Sequence, residues 1–191
     1  MDLIEVERKR ELPDSASLRQ RLIELGYRDE GEIDECDVYY SRPDVNFMET
    51  VECLRIRQRD RFAEITYKPP SNTDTHSATG VIAKRETNLS LSGPEQAGAA
   101  MALFEAIGML ELARVEKART VYRHPVHAGA VVAIDSVTRA GVFVETEVTA
   151  TDSDAATMHL ERIEKELDIA DYPIVRLPYR DLVMKADRNQ P

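Results

Sequence analysis

The first residues alternate: Ile4 and Val6 are apolar, while Glu5, Glu7 and Lys9 are charged. A period of two predicts a strand with the carboxylates and the lysine on one face and the aliphatic side chains on the other. Pro13-Asp14-Ser15 then marks a helix start, Leu18, Leu22 and Leu25 recur at helical spacing, and Gly26 ends the run. Residues 27–41 read as a strand and its approach, ending in Asp37-Val38-Tyr39-Tyr40. Residues 50–59 set Leu54 and Ile56 against Arg55 and Arg57. Residues 62–69 set Ile65 and Tyr67 against Glu64, Thr66 and Lys68, and Pro69-Pro70 stops them. Residues 71–80 are polar and read as a loop.

A fifth strand is predicted over 81–91, with Lys84 and Glu86 in one row. Ser92-Gly93-Pro94 opens a helix whose apolar residues are Met101, Phe104 and Ile107 and which closes at Gly108. Residues 112–123 alternate and align Lys117, Arg119 and Arg123, while Val131–Asp135 reads as a buried strand. Residues 141–148 place Glu145 and Glu147 opposite Val144, Thr146 and Val148. A helix from Asp154 to about Leu167 carries Ala156, Leu160, Ile163 and Leu167 on one face, and Pro178-Tyr179-Arg180-Asp181-Leu182 begins a short last helix. About eight short strands with few helices, no internal repeat and no linker predict a single domain over 1–191, its core about 2–185. The strands favour an antiparallel barrel or sandwich.

Composition narrows what such a domain does. With 42% hydrophobic and 31% charged residues the chain is neither disordered nor membrane-spanning, and no apolar run reaches the ~18–20 residues of a spanning helix. The net charge of −10 argues against nucleic acid and anionic membranes as partners. Cys36 and Cys53 fit no metal spacing and are expected to be reduced, and the acidic start is no signal peptide, so a cytoplasmic location is expected. Of six lysines beside 19 arginines, Lys9, Lys68, Lys84 and Lys117 fall inside strand-like charged segments. Either codon bias or adaptation of an acidic surface to a salty cytoplasm would account for the skew.

The charged faces form one constellation. Glu5/Glu7 and Glu145/Glu147 bracket Lys9, Arg55, Arg57, Lys68, Lys84, Lys117 and Arg119, with Asp135 just before the last strand. Facing outward, these rows are a solvated surface without chemistry. Facing inward, they enclose charge that needs mutual pairing or a ligand. The inward arrangement predicts a highly anionic small molecule, such as a polyphosphate, with Mg²⁺ or Mn²⁺ on the carboxylate pairs. There is no glycine-rich phosphate loop, so side chains must build the site. His76, His124, His127 and His159 show no ligand spacing and are expected on the surface or in loops.

Glu5-Val6-Glu7-Arg8-Lys9 resembles the ExExK signature of the CYTH superfamily, the triphosphate tunnel metalloenzymes. Asp37-Val38-Tyr39, Leu54-Arg55-Ile56-Arg57, Thr66-Tyr67-Lys68, Lys84-Arg85-Glu86, Lys117-Ala118-Arg119, Asp135-Ser136-Val137 and Gly141–Glu147 follow in the family's order, from Leu3 to about Met184. The ending, with Pro178-Tyr179-Arg180-Asp181-Leu182, looks like the class IV adenylyl cyclase branch. Members similar to thiamine triphosphatase tend to carry lysine where this chain has Val137. The resemblance implies an α+β, mainly β fold: a closed eight-stranded antiparallel barrel with flanking helices, its lumen holding a triphosphate. It implies Glu5, Glu7, Glu145 and Glu147 as metal ligands, with Glu86 a further candidate. Lys9, Arg55, Arg57, Lys68, Lys84, Lys117 and Arg119 would bind phosphate. Lys9, Asp135 and Arg119 form the implied catalytic group, Asp135 either as a base or as the group orienting Lys117 or Arg119. The implied activity is conversion of ATP to cyclic AMP and pyrophosphate. Its alternatives are a triphosphatase acting on inorganic, thiamine or nucleoside triphosphate in the same tunnel, and a non-catalytic polyphosphate or nucleotide binder. A homodimer is implied by the resemblance alone.

Overall fold

The computed structural model describes residues 4–70 and 87–188. Among them, the alternating segments become one antiparallel sheet: β1 (Ile4–Glu11), β2 (Arg28–Ser41), β3 (Cys53–Arg59), β4 (Phe62–Lys68), β5 (Thr87–Leu91), β6 (Leu110–Arg123), β7 (Ala130–Val137) and β8 (Gly141–Ala150). The helices are α1 (Ser15–Glu24), α2 (Glu95–Ala106), α3 (Ser153–Glu166) and α4 (Tyr179–Arg188). Each expected strand and helix is present among the described residues, the fifth strand over its second half. The expected loop at 71–80 and the first part of the 81–91 strand, with Lys84 and Glu86, lie outside the described residues.

Local chemistry sets the helix ends. The Asp14 carboxylate accepts from the Ala16 and Ser17 amides at 3.0 and 3.1 Å, and Asp152 caps α3 by accepting from Ala155 at 2.7 Å. Gly26 leaves α1 at φ +88°, a left-handed turn that a side chain resists. At Gly129, before β7, an added Cβ would stand 2.8 Å from the Thr149 carbonyl, so only glycine permits that approach.

The sheet curls, and its two faces differ. On the convex side, Val6, Tyr122, Val132, Ile134, Val144 and Val148 pack with Leu18 and Leu22 of α1 and Leu160 and Ile163 of α3. Val38, Tyr40, Ile56 and Ala63 pack with Ala97, Ala100 and Phe104 of α2. Ile107, expected on the packed face of α2, is 65% exposed, because the helix ends at Ala106 and the chain turns at Gly108. The convex face also buries charge: Arg8 and Arg10 of β1 donate to the Glu164 carboxylate of α3 at 2.7–2.9 Å.

The closed barrel is not what the described residues form. The strand order is β1-β8-β7-β6-β2-β3-β4-β5, with no pairing between β1 and β5. The outer edge of β1 is taken elsewhere: the Glu11 amide donates to the Pro173 carbonyl at 3.0 Å, and the Val175 amide to the Lys9 carbonyl at 2.9 Å. The segment before α4 thus covers the edge that a closed barrel would pair.

His124 and His127 lie in the β6–β7 connection, as expected of loop residues, His159 is on α3, and His76 lies outside the described residues; the departure is in burial and contacts. His127 is 8% exposed and bridges α3, its Nδ1 3.1 Å from His159 Nε2 and its Nε2 3.1 Å from a Glu166 carboxylate oxygen. His124 lies tilted beside it, 4.9 Å between ring centres. The sequence places His124 and His127 in one turn, but only the docking of α3 supplies the third ring.

Candidate active site

The strand faces bring the ionic rows inward. Lys9, Arg55, Arg57, Lys68, Lys117 and Arg119 line one cavity of about 340 Å³ together with Glu5, Glu7, Glu145 and Glu147. Asp135 does not line it; it is fully buried behind the cations. Lys84 and Glu86 fall outside the described residues.

Buried carboxylates aim the cations. On β2, Asp37 accepts two bonds from Arg57, both 2.6 Å, and lies 3.5 Å from Arg55. Two residues earlier on the same face, Glu35 pairs with Arg59 at 2.6 Å and with Arg57 and Lys117 at 3.3 Å. Across β6, Asp135 accepts from Lys117 at 3.2 Å and from Arg119 at 2.7 and 2.6 Å. Arg119 also pairs with Glu145 and, at 3.5 Å, with Glu147. Planar guanidinium forks suit such bidentate carboxylates.

These pairs set proton affinities. Burial opposes the charged form of Asp37, but Arg55 and Arg57 outweigh it and hold the carboxyl well below the usual carboxylate range. Asp135 is held at about 2, because Arg119 and Lys117 outweigh its burial. Glu147 moves the other way: burial pushes it up to about 7 against the pull of Arg119, and Glu145, Glu5 and Glu7 add to the rise. Glu7 is also raised, by burial and then by Glu145. Lys9 is lowered by burial, with Glu145 and Glu7 opposing.

Some residues of the site had no role in the sequence reading: Arg59, Tyr179 and Arg180 line the cavity, and Glu35 is buried behind its cations. Glu35 shares the inward parity of Asp37, and Arg59 continues that of Arg55 and Arg57, so both signals were present in the strand alternation. Arg180 donates to the Glu52 carbonyl at 3.1 Å, and Tyr179 donates to Asp135 at 2.8 Å. Both come from α4, and strand patterning gives no hint of its position. Tyr39 lines the cavity, whereas Tyr40 packs edge-on against Phe104.

Among the described residues no group of three His, Cys, Asp or Glu side chains is arranged to hold a metal ion as it stands. The donor chemistry still fits a hard divalent cation. Glu7 and Glu147 are direct cross-strand partners, like charges that repel unless a cation lies between them, and their oxygens are the ligands Mg²⁺ and Mn²⁺ take.

Comparison with known proteins agrees with this geometry. The CYTH domain family model matches residues 3–172. A protein of Methanocaldococcus jannaschii named "Putative adenylate cyclase MJ0240" is 29% identical over 184 residues, covering 94% of this chain and 98% of that one. The structure of the Pyrococcus horikoshii protein PH1819 superposes with a TM-score of 0.76 at 24% identity, covering 95% of this chain and 98% of the other. The Hippeastrum protein HpAC1, described as an adenylyl cyclase candidate with a dominant triphosphatase activity, superposes with a TM-score of 0.70 at 17% identity over 95% of each chain.

Proposed function

From the premise that the chain belongs to the CYTH domain family, we propose that it is a divalent-metal-dependent enzyme acting on a triphosphate, and more closely an adenylyl cyclase converting ATP to cyclic AMP and pyrophosphate. One observation carries the triphosphate reading: cations from β1, β3, β4 and β6 converge on two carboxylate pairs inside one cavity. Within it the buried Nε–H groups of Arg55 and Arg59 have no hydrogen-bond partner among the described residues. A buried donor without an acceptor costs about 1–3 kcal/mol, more for a charged group, and a phosphate oxygen removes that cost.

Lys9, Arg55, Arg57, Lys68, Lys117 and Arg119 bind the phosphate oxygens, with Lys84 assigned by the resemblance. Arg57, Lys117 and Arg119 arrive already oriented by Asp37, Glu35 and Asp135, so little side-chain freedom is lost on binding. Glu5, Glu7, Glu145 and Glu147 would hold Mg²⁺ or Mn²⁺, with Glu86 a further candidate. Such an ion supplies Lewis-acid polarisation of phosphate oxygens and acidifies a coordinated hydroxyl. In cyclisation the ribose 3′-oxygen forms a bond to the α-phosphorus, the bond from that phosphorus to the bridging oxygen breaks, and the hydroxyl proton passes to solvent. The departing pyrophosphate remains on the cationic row, which stabilises charge building on the leaving group. Asp135, held acidic and carrying bonds from Lys117, Arg119 and Tyr179, is assigned the orienting role rather than proton transfer.

The full-length match to the M. jannaschii protein supports the cyclase reading, as does the class IV-like ending. A triphosphatase is the second reading. The cavity wall offers a nucleoside little besides Val51, Val175, Pro178 and the largely buried rings of Tyr39 and Tyr179, so a substrate held by phosphate alone also fits. Product identification separates the two. Incubation with ATP and Mn²⁺ is expected to give cyclic AMP and pyrophosphate. Release of ADP and phosphate alone removes the cyclase, and absence of any product with tight binding leaves only a binder.

A further inference from the structure

The last helix packs onto the ionic cavity rather than away from it. Residues 173–175 follow the edge of β1, and Val175, Arg176, Pro178, Tyr179 and Arg180 then form one wall of the cavity. This wall lies beyond the residues that the family model matches. At its centre Tyr179 is 7% exposed, tilted against Phe143 with 5.3 Å between ring centres. Its hydroxyl donates to Asp135 at 2.8 Å. The Lys9 ammonium sits 4.1 Å from the centre of its ring, and the Lys117 ammonium 5.0 Å from it.

One side chain therefore touches the cationic row in two ways. Its oxygen holds the carboxylate that aims Arg119 and Lys117, and its ring carries two lysines. A ring face holds an ammonium without taking a hydrogen-bond donor in the way a carboxylate does. Lys9 uses one donor on the Leu177 carbonyl, at 2.7 Å, and keeps its others for a ligand. Phenylalanine at this position would supply the ring but leave Asp135 with only its cationic partners.

Resting on the reading of the cavity as a polyphosphate site, we propose that Tyr179 is a positioning residue for phosphate binding. It fixes Asp135 through its hydroxyl and Lys9 and Lys117 through its ring, so the docking of α4 sets the geometry of the cationic row. The test is titration calorimetry of the full chain with inorganic tripolyphosphate, without added metal so that turnover does not intervene. Tyr179→Phe is expected to bind at least about fivefold more weakly, with its melting temperature within a few degrees of wild type. Because the hydroxyl acts through Asp135, the Y179F/D135N double variant binds no more weakly than D135N alone. Val183→Ala, which loosens α4 in its apolar seat without touching an ionic group, is expected to weaken binding about twofold or more. Unchanged affinity in Y179F or V183A overturns the proposal, as does a double variant whose loss is the product of the two single losses. A wild-type chain that binds no tripolyphosphate overturns the polyphosphate reading and this proposal together, whereas wild-type binding with an unaffected Y179F overturns this proposal alone.

Discussion

Glu7 on β1 and Glu147 on β8 stand directly opposite each other across an antiparallel pair, both with carboxyls raised above the ordinary range, chiefly by burial. Like charges so placed cost roughly 0.2–1 kcal/mol in a sheet. Their retention makes sense when a cation joins them. Glu5→Gln with Glu7→Gln is therefore expected to melt at or above the wild-type temperature while losing metal-dependent turnover. Thermal melting and product formation with Mn²⁺ check the two halves, and retained turnover contradicts the assigned roles.

The faces of the strands were legible because each strand meets apolar helices on one side and other charges on the other, so a period of two carried through to the structure. Pairings across strands were legible only in part. The contact of Asp135 with Lys117 and Arg119 was implied by the resemblance, whereas that Asp37 meets Arg57 depends on a register set by the whole sheet. The Arg8–Glu164 contact joins residues at opposite ends of the chain, and strand alternation treats Arg8 as an interruption in an apolar face. Among the described residues the barrel is not closed for a related reason: edge pairing is a long-range event, and residues 173–175 take the outer edge of β1. The cavity's position was predictable, but its wall from α4 was not.

Asp37 supplies a pH test. Its folded proton affinity is depressed, because Arg55 and Arg57 outweigh burial, so the folded chain binds fewer protons at this site than the unfolded one. That contribution is fully present above the ordinary aspartate range and is lost as pH falls toward the folded value. Asp37→Asn leaves Arg57 without its bidentate partner and is expected to cost about 3–5 kcal/mol near neutral pH. The gap between wild type and D37N should narrow as pH drops below about 4. Urea unfolding at neutral and acidic pH measures it, and a constant gap would count against the ion pair.

Glu164 on α3 is 1% exposed and is the shared acceptor for Arg8 and Arg10. Removing it leaves two guanidinium groups buried under a helix. Glu164→Ala is expected to destabilise the chain by roughly 3–5 kcal/mol, more than the surface pair Arg42–Asp44 contributes. Chemical denaturation of E164A beside D44A gives the comparison, and equal losses would show that the convex network is solvated.

Val137 is where members similar to thiamine triphosphatase tend to carry lysine, and the structure gives that difference a location. The side chain is 3% exposed and packs with Val115, Phe143, Tyr179 and Val183, under the docked α4. It faces inward like Asp135, two residues before it, but it meets apolar groups instead of ligand-facing ions. A lysine here would have to bury an ammonium in that seat or push α4 away, either of which costs about 2 kcal/mol or more. Val137→Lys is therefore expected to lower the melting temperature and weaken tripolyphosphate binding, even though it adds a positive charge beside the cationic row. Electrostatics alone predicts the opposite sign for binding. A V137K chain that binds tripolyphosphate more tightly at unchanged stability would show that α4 yields readily, and that position 137 reports charge and not helix docking.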